Sequence, residues 1–181
     1  MSATATQENI EVLYSSEQIQ SRVEVLGRQI SEDYKDCKEL VLVGILKGSI
    51  MFYADLARQL DLTVNCECMG ISSYGHDTKS SGIVQITSDL TASIEGKDVL
   101  IIEDIVDTGL TMNYLRENFT TRRPKSVRIC SLLDKPSNRK IPIDVDYVGF
   151  EIPNLFVIGY GLDLASHYRN LPYVGVYHGA D

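Results

Sequence analysis

Three acidic side chains lie at the end of an apolar run in the segment 99–111, which reads VLIIEDIVDTGLT. Glu103 and Asp104 are adjacent, and Asp107 follows closely after them. Burying unpaired carboxylates costs free energy, so we expect these acids to bind a ligand. Carboxylate oxygens accept hydrogen bonds from vicinal hydroxyl groups and also attract Mg²⁺. The segment therefore predicts a site for a polyhydroxyl ligand, a divalent metal or both.

The residues directly after these acids are suited to a phosphate group. A turn from strand into helix here would direct backbone N–H groups outward at the helix N-terminus, where anions bind. Thr108 and Thr111 add hydroxyl donors, and Gly109 lets the backbone approach a ligand closely. Phosphate donors beside hydroxyl acceptors describe a ribose 5-phosphate. The alternative is a plain helix cap made by Asp107 or Thr108, although a cap does not require two preceding acids.

Short apolar runs alternate with amphipathic segments along the chain, which is typical of an α/β fold. Ser15 and Gln18 have the spacing of a capping box, and apolar residues recur after them at helical intervals. We predict helices over 15–34, 50–60 and 111–118, and strands over 40–46, 62–75, 97–102, 126–134, 145–152 and 156–161. The uniformly apolar strands indicate a mainly parallel, twisted sheet that helices flank on both faces.

Three polar residues each follow the C-terminal end of a predicted strand: Lys47, Asp107 and Lys135. Ligands of parallel sheets bind beyond these ends, near a switch in strand order. We therefore expect three polar loops to converge on one crevice.

Length and charge limit the classes of function. The 181 residues suffice for a single domain, 1–181, with a sizeable core. The 25 acids and 17 bases give a net charge of −8, which argues against a nucleic-acid-binding protein with a basic face. The opening residues, MSATATQENI, are not typical of a signal peptide, and no apolar run is long enough to cross a membrane. We expect a cytoplasmic protein.

The four cysteines form no CxxC pair. Cys66 and Cys68 would lie on the same face of a strand, because successive side chains of a strand alternate. A metal pair there remains open, but no second pair or histidine follows at ligand spacing. We favour buried free thiols in a reducing compartment.

Five motifs, in sequence order, resemble one family. They are GILKGSIMF, ISSYG, VLIIEDIVDTGLTM, LLDKP and FVIGYGLDLASHYRNLPYVG, and the resemblance extends through them over nearly the whole chain. They are similar to those of the phosphoribosyltransferases that use phosphoribosyl pyrophosphate, in particular the bacterial hypoxanthine(-guanine) type. The resemblance implies a type I phosphoribosyltransferase fold with a small hood and a mobile active-site loop. It also implies the Mg²⁺-dependent reaction of a 6-oxopurine with phosphoribosyl pyrophosphate, which gives a nucleoside monophosphate and pyrophosphate.

The resemblance assigns roles to the acidic segment. Asp107 would accept the proton that purine N7 loses as N9 attacks C1′ of the sugar, or it would hold the phosphate loop as a structural residue. Glu103 and Asp104 would face the ribose hydroxyls and the metal, with Ile105 beside them in the substrate site. The 5′-phosphate would be bound, mainly through backbone donors, by Thr108, Gly109, Leu110 and Thr111.

The purine base would be recognised by three further residues. Lys135 would donate to the 6-oxo group, whereas the amino group of adenine offers it no acceptor. Phe156 would stack on the purine ring, and the backbone of Val157 would bind the Watson–Crick edge. The alternatives are a solvated loop lysine at 135 and an ordinary core strand at 156–157.

The pyrophosphate side would be formed by two other segments. Asp163 resembles the acid that meets Mg²⁺ there, and Arg169 resembles the cation that binds the departing pyrophosphate. Asp163 could instead cap a helix. Lys47 and Gly48 match the pyrophosphate loop, where relatives have a cis peptide bond between the leucine and the lysine, so we predict that the bond before Lys47 is cis in at least the ligand-bound state.

A mobile segment would begin at Ser73 and Tyr74 and continue to Gly82. By the resemblance, this loop closes over the site and excludes water, which competes as a nucleophile for the activated sugar.

Two other readings remain open. One is a regulatory, RNA-binding protein on the same scaffold, for which the only dense basic segment is TRRPKSVR at 121–128. The other is the same enzyme fold acting on xanthine or a pyrimidine. The family commonly forms homodimers or homotetramers, but the sequence alone does not choose between them.

Overall fold

The computed structural model describes residues 9–73 and 84–179, which form an α/β fold with two sheets. The helices are α1 (Ser16–Asp33), α2 (Ile50–Gln59) and α3 (Leu110–Thr121). The strands are β1 (Ile10–Tyr14), β2 (Leu40–Leu46), β3 (Val64–Ser73), β4 (Val84–Ser88), β5 (Asp98–Val106), β6 (Ser126–Asp134), β7 (Tyr147–Glu151), β8 (Val157–Ile158) and β9 (Val174–Tyr177). A short 3-10 helix, Pro136–Asn138, follows β6.

The larger sheet has the strand order β4-β3-β2-β5-β6-β7. Its neighbouring strands are parallel except for the pair β3 and β4. The chain places β3 on one side of β2 and β5 on the other, so the strand order switches between β2 and β5. Lys47 and Asp107 directly follow these two strands. The predicted α/β fold with a mainly parallel sheet is therefore confirmed, and the switch lies where the predicted crevice requires it.

The smaller sheet has the antiparallel order β1-β9-β8. It corresponds to the small hood that the family resemblance implies. The sequence patterns did not predict β1, β4 or β9, which are only 4 or 5 residues long. Such short segments contain too few residues for periodicity to distinguish a strand from a loop.

Helix α1 begins as its sequence predicts. The Ser15 hydroxyl accepts a hydrogen bond from the Gln18 backbone N–H at 3.4 Å, and the Gln18 side chain accepts one from the Ser15 N–H at 2.8 Å. This reciprocal pair closes the capping box. The buried face of the helix is formed by Ile19, Val23, Leu26, Gly27 and Ile30.

Strand β2 shows that the larger sheet is covered on both faces. Leu40 and Leu42 pack into one apolar cluster, whereas Val41, Val43 and Ile45 pack into a second one. Because successive side chains point to opposite faces, the two clusters lie on opposite sides of the sheet. All five side chains are buried, which confirms the prediction of a strand covered on both faces.

The cysteines correct one expectation. Cys66 and Cys68 do share a face of β3, but both are exposed free thiols, and only Cys130 is buried. Helix α2 packs mainly over β2 and β5 rather than over β3. Buried thiols were therefore the wrong interpretation of this pair.

Within residues 9–73 and 84–179, no helix is long and apolar enough to span a membrane.

Candidate active site

Strand β5 continues beyond its predicted end and carries two of the acids. The apolar run predicted an end at residue 102, but pairing with β6 continues through Val106, so Glu103 and Asp104 lie inside the strand. Glu103 is buried, and its Oε2 atom has no hydrogen-bond partner. Burial raises the pKa of both carboxyls, and the neighbouring Asp104 raises the pKa of Glu103 further.

These two acids fit a divalent metal. A buried carboxylate oxygen without a partner is unfavourable, and a bound cation would relieve that cost. Oxygen ligands of this kind are the ones that Mg²⁺ prefers. Glu103 and Asp104 thus provide a donor pair directly at the strand-order switch.

Asp163 does not join this pair. Its Oδ1 lies 2.7 Å from Arg169 Nη2, and its Oδ2 accepts a hydrogen bond from the Ser166 N–H at 2.7 Å. In the described part of the chain, no three metal-ligating side chains gather at one point. Asp163 closes a turn rather than capping a helix, so the helix-cap alternative is wrong.

Arg169 connects the turn of Asp163 to the acids of β5. Its Nη1 donates to the Gly161 carbonyl at 2.6 Å while its Nη2 pairs with Asp163. Its positive charge also lowers the pKa of Asp104, opposing the larger effect of burial. The guanidinium therefore stands between the two acidic parts of the crevice.

Gly48 lies between the same two parts. A Cβ added to Gly48 would be 1.6 Å from Asp104 Oδ2, and a Cβ added to Gly161 would be 1.9 Å from the Gly48 carbonyl oxygen. Position 48 requires a glycine because a side chain there would displace the Asp104 carboxylate. The peptide bond between Leu46 and Lys47 is cis, as predicted.

Residues 107–111 form a cradle at the start of α3. Gly109 is the N-cap with a φ of 82°, and no side chain caps the helix. A helix cap by Asp107 or Thr108 is therefore the wrong alternative. The Thr108 hydroxyl lies 3.5 Å from the Leu110 nitrogen, which is the outer limit of a hydrogen bond. The N–H groups of the first turn are thus available to an anion.

A cavity of about 80 Å³ opens in this cradle. Its walls include Glu103 and Ile105 from β5 and Thr111 from α3. A Cβ on Gly109 would lie 2.5 Å from the Ile141 carbonyl oxygen, so a larger residue would collide with the backbone beneath the loop. The size and the donors of the cavity suit a single phosphate group.

Asp107 and Lys135 lie side by side at the mouth of the crevice. Lys135 Nζ is 3.5 Å from Asp107 Oδ2, and the lysine side chain is only 8% exposed, against 39% for the aspartate. The Lys135 N–H donates to the Val106 carbonyl at 2.9 Å, which ties the end of β6 to the end of β5. The alternative of a solvated loop lysine is therefore wrong.

Strand β8 presents an aromatic ring and a free backbone edge. Phe156, just before the strand, is 53% exposed, and its ring meets Tyr177 edge-on at 6.3 Å between centroids. The Tyr177 N–H donates to the Phe156 carbonyl at 3.0 Å, and Val157 pairs with Val176. Hydrogen-bonded and non-hydrogen-bonded pairs alternate in an antiparallel ladder, so the N–H and C=O of Val157 point toward the open edge of β8.

An ordinary core strand does not describe this segment. The predicted strand 156–161 is reduced to Val157–Ile158. Positive φ angles at Gly159, Tyr160 and Gly161 turn the chain directly after it. The turn carries Gly161 back to Gly48.

Residues 9–165 match the family described as phosphoribosyl transferase domain. The chain belongs to the phosphoribosyltransferase family. This phosphoribosyltransferase is 55% identical to the hypoxanthine-guanine phosphoribosyltransferase of Dictyostelium discoideum, over 91% of this chain and 93% of that protein. It is 53% identical to the enzyme of the same name from Bacillus subtilis strain 168, over 91% of each chain.

A solved structure gives the same result for the fold. The hypoxanthine phosphoribosyltransferase of Staphylococcus aureus superposes on this phosphoribosyltransferase with a TM-score of 0.90 and 47% sequence identity. The match covers 97% of this chain and 96% of that one. The type I phosphoribosyltransferase fold that the motifs imply is thereby confirmed.

The sequence analysis of this phosphoribosyltransferase missed the segment after Lys135. The Asn138 amide donates to Asp107 Oδ1, and Arg139 donates to the Asp107 carbonyl while pairing with Asp134. The N–H groups of residues 140 and 141 both bond the Thr108 carbonyl, at 2.9 and 3.2 Å. No local signal marks these contacts, because they depend on how the chain folds back after β6.

Ser73 and Tyr74 of the phosphoribosyltransferase, predicted to begin the mobile loop, lie where the first described range of residues ends. Ser73 is the last residue of β3. Tyr74 and the rest of the expected mobile loop, through Gly82, lie outside the described residues.

Proposed function

We propose that this chain transfers the 5-phosphoribosyl group of phosphoribosyl pyrophosphate to N9 of hypoxanthine or guanine, giving IMP or GMP and pyrophosphate in purine salvage. The observation that carries the proposal is the placement of Lys135 Nζ beside Asp107 Oδ2, 3.5 Å apart. A 6-oxopurine presents O6 and N7 side by side on one edge. The ammonium group is a donor for O6, and the carboxylate is an acceptor for the proton on N7.

The carboxylate of this pair also assists the exchange of bonds at C1′ of the sugar. As the bond from C1′ to pyrophosphate breaks and N9 bonds to C1′, the purine becomes more acidic and N7 must lose its proton. Asp107 accepts that proton and its charge stabilises the developing positive charge on the ring. Adenine carries an amino group in place of O6, so the buried ammonium of Lys135 would find a donor where it needs an acceptor.

The base would be held by the edge of the hood. The exposed ring of Phe156 is free to stack on the purine, and the outward N–H and C=O of Val157 can bind its Watson–Crick edge. Ile105, at the wall of the cradle, would pack near the sugar.

The phosphates would be bound at both sides of the crevice. The 5′-phosphate would be bound by residues 108–111 of the cradle, and pyrophosphate would meet the backbone of Lys47 and Gly48 together with Arg169. Glu103 and Asp104 would hold Mg²⁺ against the ribose hydroxyls, and Asp163 would contribute on the pyrophosphate side. When bound, the metal neutralises phosphate charge and helps pyrophosphate to leave.

We further propose a cytoplasmic homodimer or homotetramer that does not bind nucleic acid. The free thiols of Cys66 and Cys68 are exposed, as suits a reducing compartment. All four bases of the segment 121–128 are paired with acids: Arg122 with Asp89, Arg123 with Glu95, Lys125 with Asp98 and Arg128 with Asp33. A salt-sensitive interaction with RNA would contradict this proposal, and sedimentation would give the oligomeric state.

The reaction is tested directly. The protein is incubated with phosphoribosyl pyrophosphate, Mg²⁺ and one base at a time from hypoxanthine, guanine, xanthine, adenine and uracil, and the nucleotides are identified. We expect IMP and GMP, and no product in excess chelator. Absence of product from both hypoxanthine and guanine, or full activity in chelator, would contradict the proposal.

A further inference from the structure

The 3-10 turn after β6 brings a neutral donor to the carboxylate of Asp107. The Asn138 N–H bonds the Lys135 carbonyl at 3.1 Å, so the chain folds back over the end of the sheet. The side-chain amide of Asn138 then donates to Asp107 Oδ1, whereas Lys135 Nζ lies near Oδ2. Each oxygen of the carboxylate thus faces a different donor.

We propose that Asn138 is a positioning residue for the proton acceptor, holding Oδ1 of Asp107 so that Oδ2 stays directed at N7 of the base. The inference rests on the proposed function of Asp107. The aspartate follows the last residue of β5, and its side chain is 39% exposed. Without a second contact, a carboxylate at such a position can rotate toward water or follow the ammonium group of Lys135.

The bound base makes this second contact necessary. When O6 accepts a hydrogen bond from Lys135, the ammonium group interacts with the substrate as well as with Asp107. The bond from Asn138 does not compete with the base, because it engages the other oxygen. An amide is also uncharged at every pH, so it orients the carboxylate without adding a proton that could be lost.

Arg139 differs from Asn138 in the groups that it contacts. Its guanidinium donates to main-chain carbonyls, at 2.7 Å for Val106, and it pairs with Asp134. It therefore fixes the backbone at the end of β5 and touches only the carbonyl of Asp107. Of the two residues, only Asn138 acts on the carboxylate itself.

The test compares Asn138→Ala and Asn138→Asp with the wild type, and uses Ser137→Ala, an exposed residue of the same turn, as the matched control. Loss of a hydrogen bond to a charged group corresponds to roughly a tenfold lower kcat for Asn138→Ala, with KM for phosphoribosyl pyrophosphate nearly unchanged. Asn138→Asp should lower kcat further, because it replaces the donor with a negative charge beside the Asp107 carboxylate. A packing role predicts the opposite order, since aspartate has the shape of asparagine.

Asp107→Asn and the double variants separate this inference from the proposed function. In the Asp107→Asn background, Asn138→Ala should lower kcat little further, because the proton acceptor is already lost. If Asp107→Asn retains normal kcat, the role of Asp107 is wrong. If Asp107→Asn is impaired while both Asn138 variants match the wild type, or if Asn138→Ala loses the same factor in both backgrounds, only the inference about Asn138 is overturned.

Discussion

Lys135 and Asp107 face each other across 3.5 Å because the register of two strands places them there. Strands β5 and β6 are parallel, and Val106 pairs with Asp134. The residues that follow these two, Asp107 and Lys135, are therefore neighbours. A shift of either strand by one residue would move a side chain to the opposite face of the sheet. The sheet therefore fixes the distance between the donor and the acceptor that we propose for a 6-oxopurine.

Asp107→Asn should lower kcat on the order of 10²–10⁴-fold, the usual range for a lost general base. Binding of phosphoribosyl pyrophosphate should change much less, because asparagine keeps the shape of the turn. Steady-state kinetics and direct titration with the ligand measure the two quantities separately. Near-normal kcat with badly weakened binding would show that Asp107 is structural.

Lys135→Ala should impair hypoxanthine and guanine more than adenine. A charge-assisted hydrogen bond is worth roughly 1.5–3 kcal/mol, so kcat/KM for the 6-oxopurines should fall by about one to two orders of magnitude. The exposed Lys140, a few residues further along, provides the control Lys140→Ala. Unchanged hypoxanthine kinetics in Lys135→Ala would show that this residue does not contribute to the choice of base.

Glu103→Gln should stabilise the metal-free protein, and more so at pH 8 than at pH 5. Burial raises the pKa of Glu103 in the folded state, so the wild type loses stability as the pH rises from the unfolded carboxyl value of about 4.3 toward the raised folded pKa. Glutamine cannot ionise, and this pH-dependent loss disappears.

Thermal unfolding in chelator across that pH range measures the difference. The exposed Glu24 on α1 provides the control Glu24→Gln. Added Mg²⁺ should raise the unfolding midpoint of the wild type and of the control more than that of Glu103→Gln. The same pH dependence in all three proteins would contradict the assignment of a buried carboxyl without a partner.

Gly48→Ala should disrupt the acids of β5. The added Cβ would occupy the position of Asp104 Oδ2, at 1.6 Å, so the carboxylate must move. Misplacement of a catalytic group by about 1 Å can lower kcat on the order of 10²-fold. Lys47→Ala should have a smaller effect, because its side chain is exposed and we propose that the loop binds pyrophosphate through its backbone. Equal effects of the two substitutions in steady-state kinetics would contradict this account.

Local patterns were enough to predict most elements of the fold. The capping box of Ser15 and Gln18 and the apolar runs of β2 and β5 arise from interactions between residues close in sequence or from burial on both faces. In the hood, β1 and β9 were missed and the strand predicted over 156–161 was too long, because these short strands depend on their pairing with one another.

The candidate site likewise has a part that the sequence predicted and a part that depends on the tertiary structure. The sequence by itself determined which chemical groups are present, since the acids, the glycine and the threonines of residues 103–111 are contiguous. Only the tertiary structure decided that Asn138 reaches Asp107, that Gly48 packs on Asp104, and that Asp163 pairs with Arg169. These contacts depend on strand register and on the direction in which each loop leaves the sheet. Both are fixed when the core packs, and neither leaves a periodic signal along the chain.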